Sequence, residues 1–387
     1  MKKLSFTVLL FILSLAAFGQ SDFNILYGPY LQNVSEHEAT VIWVTNKKAV
    51  SWVEMAPDDE THFYAEERPQ FFQTNFGKKM IGTLHSVRLT GLKTGTSYRY
   101  RIYSKEVQEI QPYHIQYGKV VASNVYSAKP FKFRTLDKDQ SKASFLMVND
   151  IHGDNTLFAH LLKDEPLKDF DFVLFNGDML SDIRSEQQLF DGFMTLAVQQ
   201  FATEIPMFFA RGNHEARGLF STEFINYFPT PTGQPYYSFR QGPAFFIVLD
   251  AGEDKPDSDI EYHGLGAFDI YRKEQTQWLK ETLESEAFKQ APVKIVIMHV
   301  PPIRSTWYGP IQVKKEFIPL LNNAGIDLML SGHLHQHFYI PAGEDDLQFP
   351  LLINSNKHAV RVDVNGKQIT LQVKDEAGKL FKEIKLQ

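Results

Sequence analysis

The chain has 387 residues, of which 43% are hydrophobic, 13% aromatic and 22% charged, and its formal charge is −6. Those proportions exclude a mostly disordered or collagen-like chain, and at roughly 100–200 residues per domain the length predicts two or three domains. The acidic balance argues against binding a nucleic-acid backbone, and the absence of cysteine excludes disulfide scaffolds, cysteine zinc sites, thiol nucleophiles and a lipidated cysteine anchor.

Met1-Lys2-Lys3 is a short basic start, and Leu4–Phe18 is an uncharged, largely apolar run. Ala17-Phe18-Gly19 then places small residues at the two positions a signal peptidase reads. Residues 1–20 are therefore expected to be a secretory signal peptide, and the mature protein to be periplasmic or extracellular. The apolar run is shorter than the roughly 20 residues a membrane span needs, and no later run approaches that length, so no span is expected in the mature chain.

Residues 21–138 read as strand and turn. Thr40-Val41-Ile42-Trp43-Val44 is β-branched and aromatic, and alternation recurs around Val87 and Leu89, Tyr98 to Ile102, and Phe131 and Phe133. Leu92–Tyr98 resembles the turn before a tyrosine-corner strand of a fibronectin type III-like sandwich, with the Tyr98 hydroxyl bonded back to the turn. His37, His62, His85 and His114 lie scattered among these strands and are expected to be surface or structural residues. The polar stretch Leu136–Lys142 is the expected linker.

Residues 139–387 change to alternating strands and helices. Ser144–Val148, Phe172–Phe175, Pro206–Phe209, Phe245–Leu249, Val293–Met298 and Ile326–Leu330 are apolar runs of strand length. Helical spacing marks Ser185–Ala202, Tyr271–Phe288 and Val313–Ala324. The tail, Ala359–Leu386, returns to alternation around Asn365-Gly366 and Ala377-Gly378, which predicts hairpins. The predicted fold class is therefore α+β with an α/β unit: an all-β sandwich, then central sheets flanked by helices.

Five of the strand runs end in polar clusters: Asn149-Asp150-Ile151-His152, Asn176-Gly177-Asp178, Arg211-Gly212-Asn213-His214-Glu215, His299, and Ser331-Gly332-His333-Leu334-His335. Ligands collect beyond the carboxyl ends of strands in open α/β sheets, so these clusters are expected to share one rim. A carboxylate can bridge two cations, an imidazole gives one nitrogen, and an amide oxygen is a neutral ligand. Such mixed N/O ligation without thiolate suits Zn, Mn, Fe or Ni better than Ca.

In this order the clusters resemble the calcineurin-like metallophosphoesterase superfamily, whose pattern D-x-H, G-D, G-N-H-[DE], H and G-H-x-H is complete here. An export signal and a fibronectin-like unit before it also resemble the purple acid phosphatases. The resemblance implies a layered metallophosphoesterase domain holding two transition-metal ions. Asp150, His152, Asp178 and His335 would hold one ion. Asp178 would bridge to the second, also held by Asn213, His299 and His333. A bridging hydroxide would attack phosphorus, His214 would contact the phosphoryl oxygens and protonate the leaving alkoxide, and Glu215 would orient His214 or its loop. The purple enzymes carry a metal-binding Tyr three residues after the Asp of G-D. Here Ser181 stands in that place, and His152 fills a position where they lack a histidine. Fe/Zn, Mn/Mn and Zn/Zn all fit this ligand set.

Arg184, Arg211, Arg304, Trp307 and Tyr308 are candidate substrate contacts, because they lie near ligand clusters or in the loop Pro301–Pro310 after His299. His337 is expected at the surface or behind the ligands, His263 in a mobile surface loop, and Asp250 in a turn or behind the site. The expected activity is hydrolysis of a small-molecule phosphate ester by an exported phosphomonoesterase. A phosphodiesterase or nucleotidase on the same site is the alternative, and a non-catalytic extracellular binding module is the reading from another class. Oligomeric state is not legible.

Overall fold

The computed structural model describes residues 22–387. The signal peptide expected over residues 1–20 lies outside them. Among the described residues no helix is long and apolar enough to cross a membrane.

The first unit contains β1 (Ile25–Gln32), β2 (Glu38–Pro57), β3 (Gln70–Phe72), β4 (Thr74–Asn75), β5 (Lys78–Lys79), β6 (Gly82–Thr90), β7 (Ser97–Gln111), β8 (His114–Ala122) and β9 (Phe131–Arg134). β2 supplies strands to both layers. Its first half pairs with β1 and β6, its second half with β3 and β7, and the register against β6 shifts between Val44 and Ala49. The polar run Thr45–Lys48 makes this irregularity, with Thr45 Oγ1 donating to the Lys47 carbonyl at 2.8 Å. A bulge lets a strand bend, so seven strands form one continuous sheet rather than two separate ones. Val41, Trp43, Val87 and Leu89 share one buried cluster with Tyr100, Ile102 and Phe133, and Trp43 Nε1 donates to Ser104 Oγ on β7 at 2.9 Å. The Tyr98 hydroxyl accepts the Lys93 amide at 2.8 Å, as a tyrosine corner does.

His85, on β6, is buried beside Thr45, its Nε2 lying 2.8 Å from Oγ1. Burial pushes its imidazole down to about 4 from 6.5. Above pH 6.5 both folded and unfolded forms are neutral and no stability is at stake. As pH falls from about 6.5 to 4 the unfolded chain takes a proton that the folded one refuses, so stability falls by up to roughly 3 kcal/mol. Melting temperature measured across that window should drop in the wild type and drop less in His85→Gln.

The second unit contains β10 (Lys142–Val148), β11 (Phe172–Asn176), β12 (Met207–Ala210), β13 (Tyr237–Gln241), β14 (Ala244–Leu249), β15 (Val293–Met298), β16 (Leu328–Ser331), β17 (Phe338–Ile340), β18 (Leu351–Ile353), β19 (His358–Asn365), β20 (Gln368–Asp375) and β21 (Leu380–Leu386). They form two six-stranded sheets, ordered β12-β11-β10-β19-β20-β21 and β13-β14-β15-β16-β18-β17. β10, β11 and β12 run parallel in one, and β14, β15, β16 and β18 in the other. Parallel strands buried on both faces need near-continuous apolar sequence, which these runs have. Between the sheets, Phe145 and Phe172 meet Phe246 edge-on at 5.5 Å, and Phe208 stacks on Phe239 at 3.9 Å. Helix Asn155–Leu162 and the helical stretch 186–202 cover the first sheet, and helices Phe268–Glu284 and Tyr308–Asn322 cover the second.

The predicted helix Ser185–Ala202 forms, capped by Ser185, but two stretches of it wind as π-helix, Phe190–Met194 and Val198–Ala202. The helix expected from Val313 starts at Tyr308 instead. Pro310 sits in its first turn, where no amide hydrogen is needed. The two units are in contact: Tyr27 stacks on Phe190 at 4.1 Å, and the Tyr30 and Tyr100 hydroxyls donate to the carbonyls of Tyr227 and Thr203.

Candidate metal centre

β10, β11, β12, β15 and β16 all deliver their carboxyl ends to one edge. The chain there bends sharply. Asp150, His152, Asp178, His333 and His335 all take left-handed backbone angles, with φ between 51° and 71°. Such angles are uncommon outside glycine, and their concentration at one rim marks a functional site. Gly177 and Gly212 allow the close approach. A Cβ on Gly177 would collide with the His299 ring, and one on Gly212 with the Asp178 carboxylate.

Three overlapping groups result, each with ligand atoms within 4.8 Å of one another: Asp150, His152 and His335; Asp178, His299 and His333; and His152, Asp178 and His214. Asp150 Oδ1 lies 3.2 Å from His335 Nε2 and 3.8 Å from His299 Nε2, and Asp178 Oδ2 lies 3.0 Å from His299 Nε2. Asn213 Oδ1 is 3.0 Å from His333 Nδ1. Two observations show that this donor set fits cations. Asp150 Oδ1 and His299 Nε2 are buried without a hydrogen-bond partner among the described residues. The nitrogens of His152 and His335 converge to 3.2 Å beside Asp150, a spacing that a shared proton or a cation bridges. The ligands are also braced: His299 Nδ1 donates to the Asn176 carbonyl at 2.6 Å, and Asp150 Oδ2 accepts from Asn149 Nδ2 and the His333 amide.

Burial would push the His299 imidazole down, but Asp178 and Asp150 hold it up at about 10. Burial likewise works against ionised Asp178, and the His299 charge keeps its carboxyl below the usual range. Burial lowers His333 to about 4 and also lowers His152, whereas the adjacent Asp150 carboxylate raises His335.

His214 stands beside this centre. Its Nδ1 donates to the Ser181 carbonyl at 2.7 Å, which leaves Nε2 facing the cleft, 3.9 Å from Asp178 Oδ2. Glu215, by contrast, does not reach the cleft. It is buried, and its carboxylate accepts the amides of Asp178, Met179, Leu180 and Gly212. Its geometry is that of a brace between two ligand loops, of which one carries His214. Ser181 Oγ lies 3.3 Å from His152 Nδ1, so the position that is Tyr in the purple enzymes is filled here by a small side chain against the His152 ring.

The cleft over the centre measures about 1040 Å³, and Arg304 and Trp307 are among the residues that line it. Three other candidates lie elsewhere. Arg211 turns away, its Nε bonded to buried Asp250 at 2.7 Å, and faces a separate cavity with Tyr271. Tyr308 donates to Asp269 at 2.6 Å from the first turn of its helix. Arg184 is exposed, paired with Asp182, and borders an adjoining groove. His337 packs against His358 and Phe381 behind the ligands, and His263 is exposed. Arg217 and Lys255, which the motifs did not mark, also line the cleft, and among the described residues none of the first unit does. Arg217 lies three residues after His214, and that proximity was the only sequence signal for it.

Two packed mixed sheets with a His/Asp cluster at their carboxyl ends define a metallophosphoesterase. The calcineurin-like phosphoesterase family matches residues 143–337, half of the chain, and the chain belongs to that family. Residues 28–135 match the N-terminal domain of purple acid phosphatases. The chain is similar to purple acid phosphatase 22 of Arabidopsis thaliana, with 26% identity over 64% of this chain and 57% of that protein. It is 26% identical to probable purple acid phosphatase 20 of the same plant, over 63% of this chain and 58% of that one. It is 27% identical to the mouse serine/threonine-protein phosphatase CPPED1, over 35% of this chain and 43% of that one. The matches thus span a little over half the length of the plant relatives.

Proposed function

We propose that the protein is an exported, dinuclear-metal phosphoric ester hydrolase that favours monoesters. The observation that carries this reading is the overlap of three His/Asp groups through Asp178 and His152, with His214 aimed at the same space. Asp150, His152, Asp178 and His335 would hold one cation, and Asp178, Asn213, His299 and His333 the other. Bound there, such a pair neutralises the phosphoryl group and activates water as a nucleophile. His214 delivers a proton from Nε2 to the departing oxygen while the Ser181 carbonyl fixes its ring. Glu215 keeps the Asp178 and Asn213 loops in register. Arg304 and Trp307 form the cleft wall that meets the ester's organic part. The plant relatives named as phosphatases support the monoester preference, and Met1 to Gly19 supports export.

Elemental analysis of purified protein, paired with p-nitrophenyl phosphate and its bis ester, tests this. About two transition-metal ions per chain and faster turnover of the monoester are expected. A preference for the bis ester would move the assignment to a diesterase, and a metal-loaded protein inert on both would reject hydrolysis. With Ser181 in place of the tyrosine, iron-loaded protein should show no tyrosinate charge-transfer band in its visible spectrum. A purple solution would contradict the ligand set.

A further inference from the structure

We infer that Arg217 contacts the substrate, donating from Nη1 to the same ester oxygen that His214 protonates; this rests on the proposed hydrolase reading. Arg217 is held most tightly on one edge. Its Nε and Nη2 grip Glu253 at 2.7 and 2.9 Å, and Nη2 also reaches Asp254 at 3.3 Å. Both carboxylates are buried, in the loop that follows β14. A guanidinium clamped by two anions in this forked manner has little freedom left. The remaining nitrogen, Nη1, lies 3.5 Å from His214 Nε2, with Glu261 at 3.4 Å on its outer side.

Glu253 takes the Nε–Nη2 edge in full, while Nη1 has only Glu261 at 3.4 Å, side-chain exposed by 38%, and on its inner side meets the one ring nitrogen of His214 that is not bonded to Ser181. In neutral His214 the Nε2 lone pair accepts from Nη1; in the protonated ring that acts as the acid, two N–H groups border one space and suit a single oxygen that accepts from both. That is the pattern of donors set around developing negative charge. In the reaction, the water oxygen bonds to phosphorus, and the P–O ester bond breaks with its electron pair going to the organic oxygen. That oxygen leaves as an alcohol with the proton from His214. Arg217 keeps its own protons and stabilises the charge during departure. The benefit is greatest where the leaving oxygen is most basic, so the substrate class implied is an alkyl phosphate rather than an activated aryl one.

The test compares glycerol phosphate, a poor leaving group, with p-nitrophenyl phosphate, a good one. Arg217→Lys keeps the charge but loses the fork. Arg217→Met combined with Glu253→Gln removes the fork without leaving Glu253 as a lone buried anion. In the double variant, kcat on glycerol phosphate should fall roughly 100-fold or more, the scale of losing one such donor, and kcat on p-nitrophenyl phosphate far less. Arg217→Lys should fall between, with metal content unchanged in both. Equal losses on the two esters, or none, would overturn the assignment while leaving the hydrolase reading intact. Wild-type protein that turns over neither ester overturns both.

Discussion

Replacing His214 by Ala is expected to lower turnover by roughly 10²–10⁴-fold, the range of a positioned general acid, while metal content stays at the wild-type level. His214 Nδ1 is bonded to the Ser181 carbonyl, its Nε2 is 3.9 Å from Asp178, and unlike His299 it lines the open cleft. That arrangement suits delivery of a proton to a bound ester. It shares a group with His152 and Asp178, however, so the geometry alone also permits ligation. Metal analysis separates the two roles. Loss of metal together with activity would make His214 a ligand, and full metal with unchanged turnover would remove it from the reaction.

Asp178→Ala should abolish activity and strip metal from both positions, with affinity falling by at least roughly 100-fold, since outer-sphere partners alone cost about 10–100-fold. Asp178 belongs to two of the three groups, and no other carboxylate does. Its loss also leaves the His299 imidazole, now raised by two carboxylates, with Asp150 alone. Alanine at a φ of 53° adds backbone strain of its own. Asp178→Asn controls for this, because asparagine tolerates left-handed angles. If the Asn variant binds two ions and works, Asp178 is a structural residue and the shared-ligand reading is lost. If both variants lose metal, charge and not backbone strain is the cause.

The ligand clusters were legible because each is local. An apolar run of strand length ends, and the polar side chains follow within four residues, as Val148 is followed by Asn149 to His152. Parallel packing then brings those ends to one edge without further information. β17 and β18 were not legible, for they are three residues each and too short to show a period. The bent β2 was hidden differently: the polar run Thr45–Lys48 interrupts it as a turn would, and only pairing on either side of that run shows one strand passing through.

The order of apolar runs and the residues that end them were thus determined by the sequence, and with them the family and the ligand types. Which long side chains enter the cleft was decided by tertiary structure alone. Arg211 and Arg217 lie six residues apart on either side of His214, one turned to Asp250 and the other to the catalytic space. Trp307 and Tyr308 are neighbours, and only the first lines the cleft. The physical reason is that a flexible cationic or aromatic side chain is aimed by its carboxylate partner, and those partners, Asp250, Glu253 and Asp269, arrive from segments more than thirty residues away.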